Sequence, residues 1–448
     1  MRIVIVGVGN AGRNLTKKLC GMGHDVVVID HDAETLANLS SEVDAMIVEG
    51  SGSSPSVLNQ AGIAKADLLA AVTSRDEVNI LACVCARRAG RAHTIARICE
   101  ASYLASPVID LKQLGVDHAL NHKVECAREI FNVFQLPGTL EAAHLLGGRI
   151  TALGLKLPSA SPLLGRPLVE FREEKWLDRF RFIAVSHGGK LEIPNGESQF
   201  YEGDDVYVVL DPGDTPGFLN WALNSQKFGF RKVIIAGGGE LGLSLAELLE
   251  KTSTEVVLVE RHRGRAENAS EQLHKCLVIN ADIAKAETLK DIGVDAETAF
   301  ASTTEDEELN IVSCIQAKQL GAGFTVARVD KPEYVPIIES LRLLDRVVSP
   351  YLSMVKAILK FVRGENVMDV DLFHRIHGEL QEVIIRPGSR SAGKPLSALK
   401  FLPNAIVAAV QRDDMVFVPA GDFTLRGNDR LIVYCLPEAT DRLKSVFT

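Results

Sequence analysis

Arg2-Ile3-Val4-Ile5-Val6-Gly7-Val8-Gly9-Asn10-Ala11-Gly12 opens the chain, and every later segment takes its meaning from it. The run up to Val6 is short, β-branched and apolar, which suits a strand covered on both faces. From Arg13 to Gly23, apolar residues at Leu15, Leu19 and Met22 fall at helical spacing. The glycines therefore stand at a strand-to-helix turn. That setting makes a G-x-G-x-x-G match a nucleotide-site candidate. Gly7 permits the tight turn, Gly9 lets a pyrophosphate reach the backbone, and Gly12 lets helix and strand pack closely. The N–H groups of Val8, Asn10, Ala11 and their neighbours, at the positive end of the helix, would receive the phosphates. A second strand, Asp25 to Ile29, runs into Asp30, whose carboxylate can hold both hydroxyls of an adenosine ribose.

The alternation of strands and helices continues outward from there. Ala33 to Leu39 reads as a helix, and Asp44 to Val48 as a strand ending at Glu49-Gly50-Ser51-Gly52. Ser56 to Ala61 is helical, and Leu68 to Val72 is a strand that delivers the polar loop Thr73-Ser74-Arg75-Asp76-Glu77. In open α/β sheets, ligands sit at the C-terminal ends of the strands, which makes Gly50, Ser51, Thr73 and Ser74 site candidates. Asn79 to Ala89 is helical, and Thr94 to Ile98 is a strand with a cation, Arg97, at its middle. A charge in a buried strand needs a partner. For Arg97 that partner is a phosphate, or a carboxylate such as Asp76 in a purely structural pair. Asp117 to Leu120 is a further strand. Lys123 to Gln135 is an amphipathic helix that leaves the sheet and ends at Pro137-Gly138.

From Arg149 the texture changes to short alternating strands at Ala152–Leu157, Phe182–Ser186, Leu191–Pro194 and Val206–Leu210. His187-Gly188-Gly189-Lys190 forms a hairpin turn. This small α+β module holds no catalytic constellation. Asp211 to Gln226, with Pro212, Gly213, Pro216 and Gly217, reads as a linker.

The pattern then repeats. Arg231 to Ala236 runs into Gly237-Gly238-Gly239-Glu240-Leu241-Gly242, and both Gly237 and the next strand-end acid, Glu260, lie 230 residues after Gly7 and Asp30. At the same offset Thr303 and Asp306 fall on Thr73 and Asp76, while Asn310 and Arg328 follow Asn79 and Arg97 one residue later. The module repeats as well. Gly165-Arg166-Pro167-Leu168 answers to Gly393-Lys394-Pro395-Leu396, Ile193-Pro194-Asn195-Gly196 to Val418-Pro419-Ala420-Gly421, and Gly203-Asp204-Asp205 to Gly427-Asn428-Asp429. The chain is a tandem duplication. Its fold class is α/β: two Rossmann-type doubly wound parallel sheets, each followed by a small α+β module. The expected domains are 1–138, 139–225, 226–364 and 365–448. The copies differ at their mouths. Asp30 is followed by His31 and Asp32, whereas Glu260 is followed by Arg261, His262 and Arg263, and Gly50-Ser51 gives way to Asn280-Ala281-Asp282. A basic second mouth favours extra phosphate charge, as in ATP or a 2′-phosphate, or else is a solvated turn.

Composition narrows the function classes. A chain of 448 residues holds several domains, and 46% hydrophobic with 24% charged residues is ordinary for a globular protein. No apolar run reaches the length of a bilayer crossing, and a first strand that begins at once leaves no room for a signal peptide. A net charge of -9 argues against nucleic acid as a partner. Eight cysteines without a C-x-x-C pair read as small core thiols in a reducing compartment, not as a redox or metal site. An NAD-dependent oxidoreductase would need an acid or base beside the nicotinamide. His24, His31 and His262 lie beside turns, His118 and His122 near a strand end, and none recurs in both copies. A redox-responsive transcriptional repressor would need a helix-turn-helix segment, which is absent from the pattern.

The motif GVGNAG with Asp30, the Thr73–Asn79 loop, Ile95-Ala96-Arg97 and Gly165-Arg166-Pro167-Leu168, each with its second copy, resemble the cytoplasmic regulatory subunits of bacterial Trk-type potassium uptake systems, which carry two regulator-of-potassium-conductance domains in one chain. The likeness spans essentially the whole chain. A departure is Gly50-Ser51-Gly52, which lacks the acid that often follows that glycine. The resemblance implies a non-catalytic, cytoplasmic protein, peripheral on the inner face of the cytoplasmic membrane. It implies NAD or NADH and adenine nucleotides as ligands, and the basic residues after Glu260 place ATP or ADP in the second Rossmann domain. It implies a homo-oligomer, a dimer of two-repeat chains or a higher ring, beneath the integral-membrane potassium-transporting Trk subunit. It further implies that the helices around Lys123–Gln135 and Leu352–Val362 cross to a neighbour. The nucleotide contacts would come from Gly7 to Gly12, Asp30, Gly50, Ser51, Thr73, Ser74 and Arg97, and in the second copy from Gly237 to Gly242, Glu260, Arg261, Asn280, Ala281, Thr303 and Arg328. No catalytic or metal-binding residue is expected.

Overall fold

A computed structural model describes residues 1–104, 108–136, 139–173, 179–224, 229–341, 343–362, 378–389, 391–399, 404–436 and 439. They form two compact units, Met1–Phe134 with Phe230–Val362, and Gln135–Gly229 with Arg363–Thr448.

In the first unit, the N-terminal copy runs β1 (Arg2–Val6), α1 (Asn10–Gly21), β2 (Asp25–Asp30), α2 (Ala33–Ser40), β3 (Met46–Glu49), α3 (Pro55–Gln60), β4 (Leu68–Ala71), α4 (Asp76–Ala89), β5 (His93–Arg97), α5 (Ala101–Leu104), β6 (His118–Leu120) and α6 (His122–Gln135). Its strands lie in the order β3-β2-β1-β4-β5-β6, all parallel. Ile3, Val4 and Ile5 are wholly buried, because helices cover both faces of the sheet. β1 pairs with β2 on one side and β4 on the other, so the glycine turn after Val6 opens at the point where the strand order reverses.

Between the copies lie β7 (Thr139–Leu145), β8 (Ile150–Lys156), β9 (Phe180–His187), β10 (Lys190–Glu192), β11 (Asp205–Leu210) and α7 (Thr215–Ala222). The second copy follows with β12 (Lys232–Ala236), α8 (Glu240–Leu249), β13 (Glu255–Glu260), α9 (Arg263–Gln272), β14 (Leu277–Asn280), α10 (Ala286–Ile292), β15 (Thr298–Ser302), α11 (Glu307–Gln319), β16 (Phe324–Arg328), α12 (Tyr334–Leu341), β17 (Arg346–Val348) and α13 (Pro350–Val362), on a sheet ordered β14-β13-β12-β15-β16-β17. β18 (Glu379–Ile384), β19 (Ala405–Arg412), β20 (Met415–Phe417) and β21 (Arg430–Cys435) close the described chain.

The helix that leaves each sheet packs on the other copy. Cys126, Ala127, Ile130 and Phe134 of α6 join the core of the second sheet with Val233, Leu245 and Val256. Met354, Val355, Ile358 and Val362 of α13 join Leu15, Leu19 and Val26 of the first. Lys356 Nζ meets Glu129 Oε1 at 2.6 Å where the two helices pass. The expected crossing to a neighbour is thus satisfied within one chain.

In the second unit the antiparallel sheets β10-β9-β11-β8-β7 and β18-β21-β19-β20 share an apolar core that includes Ile150, Ile183 and Val209 with Leu380, Ala409 and Ile432.

Several expectations change. The sequence predicts a linker over Asp211–Gln226, but its middle is α7, with Phe218, Leu219 and Ala222 buried. Pro216 lies in the first turn, where its missing N–H costs nothing, so a breaker signal marks a helix start. β7 is a strand that the sequence pattern does not predict. Arg97 stands at the end of its strand instead of the middle. Asp204 and Asp429 are the equivalent acids of the modules: each accepts a turn N–H, from Tyr201 and Arg426, and is nearly fully buried. Gly203 therefore answers to Asn428, both at positive φ, and not to Gly427. The expected boundaries at 138, 225 and 364, and the Pro137-Gly138 turn, lie outside the described residues.

Candidate functional site: paired crevices at the sheet edges

Each crevice is built first from backbone. Gly7 has φ +101°, and a Cβ there would lie 2.9 Å from the Thr73 backbone nitrogen. A Cβ on Gly12 would lie 1.8 Å from the Gly7 carbonyl oxygen, so only glycine lets α1 start this close to β1. Around Gly9 nothing comes within 4 Å of such an atom, which leaves space for a ligand against the helix start. No side chain caps α1 at Gly9 or α8 at Gly239. Gly237, at φ +105°, and Gly242, where a Cβ would lie 1.9 Å from the Gly237 oxygen, repeat the frame. Val8, Ala11 and Leu241 are buried in the cores, so these motif positions offer the crevice chiefly backbone.

The strand-end acids brace the glycine turns. Asp30 Oδ2 accepts the Val8 N–H at 2.6 Å, and Oδ1 accepts those of His31 and Asp32 at 2.7 and 3.1 Å. Glu260 Oε2 accepts from Gly238 at 2.7 Å and Oε1 from His262 at 2.8 Å. His31 Nδ1 also lies 3.0 Å from Asp30 Oδ1, so the free acceptor site of Asp30 is on Oδ2, whereas Glu260, with one N–H on each oxygen, keeps a site on both for a ribose hydroxyl. Gly50 N–H donates to the Asp30 carbonyl at 2.7 Å, and Ser51 Oγ pairs with Ser53 Oγ. In the second copy Asn280 Nδ2 donates to the carbonyls of Glu260 and Arg261, and Ala281 N–H to that of Glu260. The Asn280 amide is thus spent on the backbone.

The loops after β4 and β15 are pinned by two amides, paired by the repeat but absent from the site candidates that the sequence predicts. Asn79 Oδ1 accepts from Thr73 N and Oγ1 at 3.0 and 2.7 Å, and its Nδ2 donates to the carbonyls of Thr73 and Arg97. Asn310 makes the same four bonds to Thr304 and Arg328. The counterpart of Thr73 is therefore Thr304, and Thr303 sits one residue earlier, where its N–H and Oγ1 bond the Ala236 carbonyl. Likewise Asp76, which accepts the N–H groups of Cys99 and Glu100, is matched by Glu307, which accepts those of Asp330 and Lys331. Asp306 caps α11 instead. The inserted residue lies before β14, because Met46 pairs with Val27 as Leu277 pairs with Val257. Ser74 is exposed on its loop.

The two strand-end cations differ. Arg328 makes a bidentate pair with Asp330, both contacts at 2.9 Å. Arg97 does not pair with Asp76. Its Nε donates to Cys99 Sγ at 3.3 Å, its Nη2 faces His122 Nε2 at 3.4 Å, and its guanidinium lies 5.9 Å from the Tyr351 ring.

The second crevice encloses about 280 Å³. Arg261, Arg265 and Arg328 line it, but so do Glu240, Asp282 and Asp306, so the mouth is mixed in charge and not simply basic. Arg263 turns away to Glu267 at 2.8 Å. Lys123, from the first copy's α6, lines this cavity and meets Glu240 at 3.2 Å. Only the helix exchange brings it there. Among the described residues no group of three metal-ligating side chains gathers, and no helix is long and apolar enough to cross a membrane.

The sequence profile of the TrkA-N domain matches residues 3–122 and 233–350, and that of the TrkA-C domain matches 153–222 and 380–448. The chain is similar to the Trk system potassium uptake protein TrkA homolog 2 of Methanosarcina mazei, 29% identical over 455 residues that span all of both proteins. It is similar to TrkA of Haemophilus influenzae, 29% identical over 97% of this chain and 95% of that one. Among solved structures, the GsuK RCK domain superposes with a TM-score of 0.59 at 20% identity, covering 100% of this chain and 94% of that one. The GsuK channel bound to NAD gives 0.61 at 21%, covering 100% and 78%. These likenesses establish the fold. With both profiles matched twice in the order that the two sheets and two modules take, this chain belongs to the TrkA family of tandem TrkA-N and TrkA-C proteins.

Proposed function

We propose that this chain is the nucleotide-sensing regulatory subunit of a potassium uptake system. It binds NAD or NADH in the first crevice and an adenine nucleotide, ATP or ADP, in the second, and works as a cytoplasmic ring on the inner face of the membrane beneath the potassium-transporting Trk subunit. The family relationship and the NAD-bound GsuK channel support this reading. The observation that carries it is the exchange of α6 and α13. Because Lys123 of the first copy lines the second crevice and α13 of the second copy packs in the first copy's core, a ligand that reshapes one lobe shifts the other. Gating then requires only that nucleotide bind two arrangements with different affinity.

In the first crevice the pyrophosphate lies against Gly7, Gly9, Gly12 and the first turn of α1, with the ribose on Asp30 and Arg97 near the phosphates. In the second, Gly237 to Gly242 and Glu260 play these parts, and Arg261 and Arg328 add charge. Segments 1–138, 139–225, 226–364 and 365–448 are the working domains. The reading assigns no turnover. Calorimetry of the full chain with NADH and ATP, alongside absorbance at 340 nm over a panel of keto acids, aldehydes and quinones, tests it. Binding with flat absorbance is expected. Steady NADH consumption abolished by Gly9→Glu would restore an oxidoreductase. Potassium uptake restored in a strain lacking the native regulator tests the partner.

A further inference from the structure

Arg97, Cys99 and His122 form a cluster of which the nucleotide reading uses only Arg97. Arg97 Nε–H donates to Cys99 Sγ at 3.3 Å, and His122 Nδ1 lies 3.6 Å from the same sulfur. His122 is 5% exposed. Burial, then the charges of Arg97 and Lys123, push its imidazole down to about 3, so it is neutral. A guanidinium can only donate, so His122 Nε2 must accept from Arg97 and the ring proton sits on Nδ1, aimed at the sulfur. Two N–H donors thus converge on one thiol that is partly open to solvent. The duplication supplies an independent reading of the same place. Cys99 and Asp330 are equivalent, since their N–H groups bond the equivalent acids Asp76 and Glu307. Where the second copy sets a carboxylate against its arginine, the first sets a sulfur.

We propose that Cys99 is a hydroperoxide-reactive thiol, activated by Arg97 and His122, whose oxidised form makes with Arg97 the ion pair that Asp330 makes with Arg328. After its thiol proton passes to solvent, the sulfur attacks one oxygen of hydrogen peroxide. An S–O bond forms and the O–O bond breaks. The departing hydroxide takes the proton of the bound oxygen and leaves as water. Sulfur is oxidised by two electrons to sulfenate and the peroxide is reduced to water, with hydrogen bonds from Arg97 and His122 stabilising the charge on sulfur throughout. Cys20 and Cys276, also partly exposed, lack this environment: burial pushes both thiols up, Cys276 to about 12.

The test is sulfenate trapping on the reduced full-length protein. Hydrogen peroxide is added with dimedone, and labelled peptides are counted by mass spectrometry. Cys99 should be labelled at least ~10-fold faster than Cys20, Cys85 or Cys276 in the same sample. Arg97→Gln should slow Cys99 labelling by about 5-fold and leave Cys20 unchanged, the latter serving as the check that the lobe is folded. Labelling of Cys99 no faster than of the other three, or unaffected by Arg97→Gln with Cys20 constant, overturns the proposal. The labelling is run without nucleotide, so its outcome does not depend on whether nucleotide binds.

Discussion

The two crevices share a frame and differ in almost everything that faces into them. Both have the forbidden Cβ at the third motif glycine, the acid accepting a glycine-turn N–H, and the asparagine that ties two strand ends. Yet Asn10 faces Glu240, His31 faces Arg261, Ser51 faces Asp282 and Cys99 faces Asp330 in the alignment of the copies. Frame positions are fixed by backbone geometry, which tolerates few side chains. Positions on the rim answer only to a ligand or to solvent, so they diverge after a duplication. Equal frames predict equal damage from frame mutations, and unequal rims predict unequal ligands.

The largest effect should come from the frame. Gly12→Val and Gly242→Val each drive a side chain into a backbone carbonyl, and each should destabilise its lobe by about 3 kcal/mol. Thermal unfolding reads the cost, and calorimetry should show that only the mutated copy loses its nucleotide. Equal binding by both copies in either variant would break the shared frame. Next, Asp30→Ala removes a brace and a ribose acceptor together, and should weaken NADH binding by about 1–3 kcal/mol. Glu260→Ala should leave NADH binding in the first crevice intact while impairing the second. An equal loss at both sites from either substitution would mean that the two copies do not hold separate sites.

A smaller effect belongs to one copy alone, because the partner position of His122 is Pro350. His122 is held neutral in the fold, with its ionisation pushed down to about 3, whereas an unfolded histidine titrates near 6.5. Stability is therefore complete above about pH 6.5 and falls as the pH drops toward 3, by about 1–2 kcal/mol between pH 6.5 and 5. Denaturant unfolding at both pH values should show that His122→Asn flattens this slope, and an unchanged slope would assign it to other groups. The smallest effect concerns the second rim. Arg261 lines the cavity while Arg263 is paired outward, so Arg261→Ala should lower the ratio of ATP to NAD affinity by about 0.5–1 kcal/mol and Arg263→Ala should not. Identical shifts from both would mean that the turn reads charge without geometry.

The linear sequence determined the Rossmann sheets, their duplication and the positions of the glycine turns. These depend on local rules: apolar runs buried on both faces, a glycine where φ is positive, and an acid one strand later. It also carried the repeat of the modules, since matched turns recur at a nearly constant interval. It misplaced what local rules cannot reach. A one-residue insertion before β14 shifted Thr303 and Asp306 off their true counterparts, because an alignment by offset does not see which backbone N–H a side chain accepts. The proline and glycine of α7 look the same in a linker and in the first turn of a helix, and only the burial of Phe218 and Leu219 separates the two. Tertiary structure alone decided that α6 and α13 exchange lobes, that Lys123 enters the second crevice, and that Arg97 meets a thiol and an imidazole in place of Asp76. An amphipathic helix announces that it has an apolar face. Which sheet covers that face, and that it belongs to the same chain, is settled by the packing of segments far apart in the sequence.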